Sequence, residues 1–81
     1  MFYIYILKSL ADNKFYTGFS SNLRKRIKEH HLGNVISTKN KRPVELIYYE
    51  AYKFKENALL REKFLKTTKG KFQIRKQIKK N

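Results

Sequence analysis

The chain predicts an α+β fold: a small three-stranded antiparallel β-sheet flanked by helices, in the order β-β-α-β-α-α, as a single domain over residues 1–81. Three observations predict it. Aromatic and β-branched runs stand at residues 2–7, 15–19 and 44–52, a composition that suits a pleated, half-buried surface. Helical apolar spacing fills the intervals after the second and third runs. At 81 residues the chain has room for one body with one economical core.

The elements follow in order. Ala11-Asp12-Asn13 separates the first two runs with residue types that turn the chain and tolerate unusual backbone angles, so residues 2–19 read as a hairpin. If Tyr5 lies opposite Tyr16, their shared face puts two phenols in contact across the strands. Ser20-Ser21-Asn22 then offers N-cap side chains, Leu23 and Ile27 mark the inward stripe of a helix, and Gly33 is placed to end it. On a wheel of about 100° per residue, Arg26 and His30 fall on one flank of that stripe, near the core yet within reach of a groove. A polar, basic connection over residues 34–42 closes at Pro43, ahead of the third strand. A second helix over residues 55–66 carries Ala58, Leu59, Leu60, Phe64 and Leu65. Thr67 and Thr68 cap a last helix whose apolar contacts are Phe72, Ile74 and Ile78, although Gly70 weakens its first turn.

Charge is the strongest bulk signal. Twenty Lys and Arg against six Asp and Glu give a formal net charge of +14, whose self-repulsion makes a polyanionic partner the simplest explanation. Nucleic acid ranks first. An anionic membrane ranks below it, because no basic amphipathic segment stands apart from the folded pattern and no apolar run approaches the roughly 20 residues of a membrane span. Without cysteine there is neither a disulfide framework nor a thiolate metal site. A soluble, cytoplasmic, nucleic-acid-binding protein is expected, with no membrane partner. The basic residues form two blocks. Arg24, Lys25, Arg26, Lys28, Lys39, Lys41 and Arg42 make the first, and Lys63, Lys66, Lys69, Lys71, Arg75, Lys76, Lys79 and Lys80 the second. Together they suit a groove that follows a phosphate backbone; Lys76, Lys79 and Lys80 read instead as a solvated face.

Four features can carry chemistry. Glu62 points toward the apolar side of its helix, where a carboxylate needs a partner or a cation; a surface ion pair with Lys66, four residues on, is the equal alternative. Tyr5 and Tyr16 are ordinarily core residues with a hydroxyl at the edge, but a phenol crowded by cations can orient or deprotonate a water. Arg26 can fork onto a phosphate or serve as one backbone contact among many. His30 can titrate near neutrality or simply pack, and His31 beside it can share the helix end. No Gly-rich phosphate loop, helical zinc pair or Ser-His-Asp order is present.

Taken together these residues resemble the GIY-YIG (URI) nuclease domain, in its short single-domain branch. Tyr3-Ile4-Tyr5 stands where the family has the first half of its name and Tyr16-Thr17-Gly18 where it has the second. Asn22-Leu23-Arg24-Lys25-Arg26 resembles the segment after the hairpin, with Arg26 at the place of the catalytic arginine, and His30 at a His-or-Tyr position. Ala58-Leu59-Leu60-Arg61-Glu62-Lys63 resembles the segment carrying the metal-binding glutamate, and Ser37-Thr38-Lys39, Arg42-Pro43 and residues 66–71 also fit that branch. Tyr3 and Thr17 depart from the name, and Phe19 stands where the excinuclease branch has lysine.

The resemblance implies a Mg²⁺- (or Mn²⁺-) dependent endonuclease acting on DNA, with RNA as the related substrate. Branched, single-stranded or damaged forms would connect it to DNA repair. It implies Tyr5 as base, Tyr16 positioning water or phosphate, Arg26 stabilising transition-state charge, His30 assisting proton movement and Glu62 holding the metal. Arg24, Lys25, Lys28, Lys39, Lys41, Arg42, Lys66, Lys69 and Lys71 would hold the backbone, and target specificity would come from DNA shape or from a protein partner. The alternative is a non-catalytic nucleic-acid-binding module on the same scaffold.

Overall fold

Strand β1 (Phe2–Ser9) is the centre of the molecule. In the computed structural model, which describes residues 1–78, β2 (Phe15–Ser20) and β3 (Val44–Tyr52) pair antiparallel on either side of it. Helix α1 (Leu23–His31) follows the hairpin, and α2 (Lys55–Leu65) and α3 (Thr68–Gln77) follow β3. The expected α+β fold and element order are therefore observed. Among the described residues no helix is long and apolar enough to cross a membrane.

Helices cover both faces of the sheet, so Ile4, Tyr5, Ile6 and Leu7 are all buried in succession rather than alternately. Ile4 and Ile6 pack with Ala58, Leu65 and Ile74 of the α2–α3 layer. Tyr5, Leu7 and Val44 pack against Leu23 and Ile27 of α1. Burial of an Ile or Leu side chain contributes about 1.5–3 kcal/mol, so this one strand holds a large share of the core.

The hairpin register corrects the expected Tyr5–Tyr16 pairing. Tyr5 lies opposite Gly18, and Tyr16 opposite Leu7. The turn sets this. Ser9 N–H donates to Lys14 O, Asn13 N–H donates to Ser9 O, and Asn13 adopts φ 59°, closing the chain over residues 10–14. The shift is two residues along the strand, so both phenols stay on one face.

Capping follows the sequence. Asn22 Oδ1 accepts from Lys25 N–H at the start of α1, and Gly33 takes φ 81° just past its end. Thr67 Oγ1 accepts from Gly70 N–H at the start of α3. Gly70 weakens the helix in isolation but has a packing reason, since a Cβ there would overlap the Phe64 carbonyl.

Helix α2 departs from its expected apolar face. Leu59 and Leu60 are exposed, whereas Arg61 and Glu62 turn inward to half-buried positions. Beneath the helix, Glu50 of β3 accepts from Tyr48 Oη, Tyr52 Oη and, in a forked contact, Arg61 Nε and Nη2 at 3.0 and 3.1 Å. A half-buried carboxylate needs those donors, and supplying Arg61 fixes the roll of α2. Phe72 likewise is exposed, with the Lys76 ammonium 4.7 Å from its ring centroid.

Candidate active site

Strand β2 is an edge strand, and the site forms around its free side, where the two layers of the molecule meet. From β1 comes Tyr5, from β2 Tyr16 and Gly18, from α1 Arg26 and His30, and from α2 Glu62 with Lys66. All line one cleft of about 300 Å³, together with Ser37 and Thr38 of the connection before β3. The five residues expected to be catalytic, Tyr5, Tyr16, Arg26, His30 and Glu62, thus line the same cleft.

Tyr5 is the hub. Its ring lies directly on Gly18, where any Cβ would overlap Cζ and Oη. Its Oη sits 2.8 Å from His30 Nε2, and Arg26 Nε–H donates to it at 3.4 Å. On the other side of the imidazole, His30 Nδ1 lies 2.6 Å from Thr38 Oγ1. Tyr5, His30 and Thr38 are all buried, so this is a dry hydrogen-bonded line from the cleft into the loop. The line can carry its protons in either sense: Tyr5 donating to Nε2 with Nδ1–H donating to Thr38, or the reverse.

Burial raises the Tyr5 phenol above its ordinary value; the hydrogen bond and charge of Arg26 oppose that rise, while Glu62 and Glu29 add to it. His30 is lowered, chiefly by burial and then by the Arg26 charge. Both groups are therefore neutral near pH 7. Arg26 is raised, first by its bond to Tyr5, and its Nη1 also pairs with Glu29 at 3.3 Å.

Tyr16 is tied elsewhere. Its hydroxyl donates to Asp12 Oδ2 at 2.8 Å, and that bond is the main cause of its raised pKa. Asp12 is held down to about 2, first by the Lys14 backbone N–H. It also pairs with Lys41 at 3.5 Å. Glu62 meets both sequence readings: it faces the cleft half-buried, and its Oε2 lies 3.3 Å from Lys66 Nζ. Among the described residues no three His, Cys, Asp or Glu side chains converge as metal ligands.

The basic residues divide. Lys66 belongs to the cleft and also to an adjoining groove along β2 with Lys14, Lys71 and Arg75, whose guanidinium sits 4.9 Å from the Phe15 ring centroid. Lys25 stands on the rim beside Arg26. Lys39 and Arg42 flank a separate hollow with His31, Arg24 lines a cleft on the far side of α1, and Lys28 and Lys69 are simply exposed. Lys79 and Lys80 lie outside the described residues. Sequence reasoning gave Thr38, Asp12 and Lys14 no role in the site. Thr38 was legible only within the Ser37-Thr38-Lys39 run, and nothing local signals its hydrogen bond to His30.

Known proteins share the sequence pattern and the fold of this chain. Residues 1–77 match the GIY-YIG catalytic domain. A UPF0213 protein of Clostridium perfringens is 43% identical over 67 residues, covering 82% of this chain and 71% of that protein. One from Staphylococcus haemolyticus is 42% identical over 66 residues, covering 80% and 79%. The solution NMR structure of the UPF0213 protein from Bacillus halodurans superimposes with a TM-score of 0.60 at 31% identity, covering 95% of this chain and 85% of that one.

Proposed function

This chain belongs to the GIY-YIG catalytic domain family, and within it to the UPF0213 proteins; from that premise we propose that it binds nucleic acid along its basic groove and hydrolyses a phosphodiester bond in the cleft. The observation that carries the reading is the convergence of Tyr5, Arg26, His30 and Glu62, drawn from three elements, on one cleft. A binding surface alone has no need of a half-buried carboxylate in a chain of charge +14.

The phosphate enters with its charge offset by Arg26 and Lys66. A water attacking phosphorus gives its proton to Tyr5 Oη as the Tyr5 proton passes to His30 Nε2 over the 2.8 Å bond. The new P–O bond forms, the leaving oxygen departs, and that oxygen takes a proton from solvent. This path needs Nδ1–H directed at Thr38, so Thr38 holds the imidazole in the useful tautomer. Tyr16 can turn its hydroxyl to the substrate only by exchanging its bond to Asp12.

Glu62 would hold a Mg²⁺ or Mn²⁺ ion. One carboxylate completed by waters and substrate phosphate is the usual donor set for Mg²⁺, and the ion would displace the Lys66 ammonium from Oε2. When bound it supplies Lewis-acid stabilisation of the phosphate charge.

A cleavage panel of single-stranded, duplex, flap and four-way DNA, with RNA counterparts, tests the reading in Mg²⁺ and Mn²⁺. Glu62→Ala and Tyr5→Phe are expected to lose at least about 10²-fold in rate while keeping salt-sensitive binding. The second reading, a binder without catalysis, is favoured by the Glu62–Lys66 ion pair and the Tyr16–Asp12 bond, which already engage two of the site's groups. Binding without cutting on every substrate and metal would establish that reading in place of the first.

A further inference from the structure

On the far side of α1 from the catalytic cleft lies a second opening, about 500 Å³ in volume, walled by Tyr3, Tyr49, Leu46, Leu23, Ile27 and Arg24. Its floor is aromatic. Tyr3 and Tyr49 meet edge to face, with centroids 6.1 Å apart and planes at 61°, and Tyr49 is 53% exposed. Tyr49 stands directly opposite Tyr5 in the sheet register, so this floor continues the strand face that carries the catalytic phenol. None of the lining residues is acidic, and Arg24 supplies a cation at the wall.

The two openings are connected. A shallow rim at the start of α1 shares Phe19 and Arg26 with the catalytic cleft, and Ser21 and Asn22 with the aromatic one; it carries Lys25 between them, and also Glu29, whose carboxylate is paired with Arg26. A strand leaving Arg26 for Tyr49 would pass Lys25 and cross the end of one helix, about 10 Å wide.

We propose that Tyr3 and Tyr49 form a stacking subsite for an unpaired nucleobase of the same strand whose phosphate occupies the catalytic cleft, with Arg24 and Lys25 holding the intervening backbone. The proposal rests on the nucleic-acid reading of that cleft. An exposed tyrosine face beside guanidinium and ammonium groups matches what an unpaired nucleotide presents: a flat ring attached to an anionic link. A paired base has its faces covered by its stacked neighbours, so the subsite selects for single-stranded character on one side of the bound phosphate.

The test is binding, measured by fluorescence anisotropy in Ca²⁺ or EDTA, of a labelled single-stranded oligonucleotide and its duplex at one fixed salt concentration. Tyr49→Ala and Tyr49→Leu are both expected to weaken single-strand binding about tenfold or more, leaving duplex binding within twofold. Tyr49→Phe retains the unmodified affinity. An oligonucleotide with an abasic position at the responsive site shows no difference between Tyr49 and Tyr49→Ala. Leucine separates the two roles of the residue, since it keeps apolar contact with Tyr3 but has no ring face. Equal losses on single strand and duplex, or no loss on either, overturn the subsite. Cleavage with normal single-strand affinity in Tyr49→Ala overturns the subsite and leaves the nuclease reading standing. Tyr49-dependent single-strand binding without cleavage upholds the subsite and overturns the nuclease reading; absence of all nucleic-acid binding overturns both.

Discussion

Gly18→Ala isolates the packing on which the site depends. Gly18 lies in a strand with ordinary extended backbone, so alanine introduces no dihedral strain there. Its cost comes from one contact: the new Cβ would overlap Cζ and Oη of Tyr5. A side-chain tip can often swing aside, but this one is buried and tied to His30 at 2.8 Å and Arg26 at 3.4 Å. Moving it breaks those bonds, and holding it strains the hairpin. Overpacking of this kind costs about 1–3 kcal/mol, and a lost hydrogen bond about 1 more, so roughly 2–4 kcal/mol is expected. For a domain of this size that lowers the melting temperature by about 10–30 °C. Urea and thermal unfolding measure it directly. In a Tyr5→Leu background the ring atoms are gone, and the same substitution is expected to cost under about 0.5 kcal/mol, giving a coupling energy above 1. Equal costs in the two backgrounds would show that Gly18 is small for a reason other than the Tyr5 ring.

Two further predictions concern the polar groups. Because His30 is lowered in the fold, the unfolded chain takes up its proton first as pH falls; stability is full above about 6.5 and declines toward the folded value. Unfolding free energy measured from pH 7.5 to 5 is expected to fall with that slope and to flatten in His30→Gln; Asp12 at about 2 and the lowered Glu50 titrate beneath the window. A slope that survives in His30→Gln would assign the effect to another group. Arg61→Met leaves the Glu50 carboxylate half-buried with only two tyrosine donors, a loss of about 1–3 kcal/mol. Adding Glu50→Gln is expected to recover much of it, and a double variant no better than Arg61→Met would deny that the stranded charge is the cost.

The fold was legible because its signals are local and agree with one another. Val44–Tyr52 reads as a strand from composition alone, and Asn22 and Thr67 announce their helices as caps. What was not legible depends on contacts across the chain. The hairpin register is decided by Ser9, whose hydroxyl accepts from Ala11 and Asp12 and donates to Lys41 O, a residue far along the sequence. The roll of α2 is decided by Glu50 of the preceding strand, which is why the apolar pattern of Leu59 and Leu60 misleads.

The site divides in the same way. Arg26 and His30 can be placed together from helical spacing, but spacing cannot say that His30 is buried between Tyr5 and Thr38, and burial is the main cause of its lowered pKa. Strand alternation can put Tyr5 and Tyr16 on one face; only the register shows that Tyr5 has a glycine opposite it while Tyr16 leans to Asp12. The two tyrosines that look equivalent in the sequence are therefore inequivalent in chemistry. Tyr5 shares a hydrogen bond with the His30 ring, whose direction depends on the tautomer, whereas Tyr16 donates to a carboxylate that raises its pKa. A glycine opposite Tyr5 is also what allows an edge strand to serve as a floor. Without a side chain at Gly18, the Tyr5 ring lies flat across β2 and its oxygen reaches the open edge, where Glu62 arrives from the other layer. Neither layer alone contains both the phenol and the carboxylate; they come together only at that edge, and the cleft lies between them.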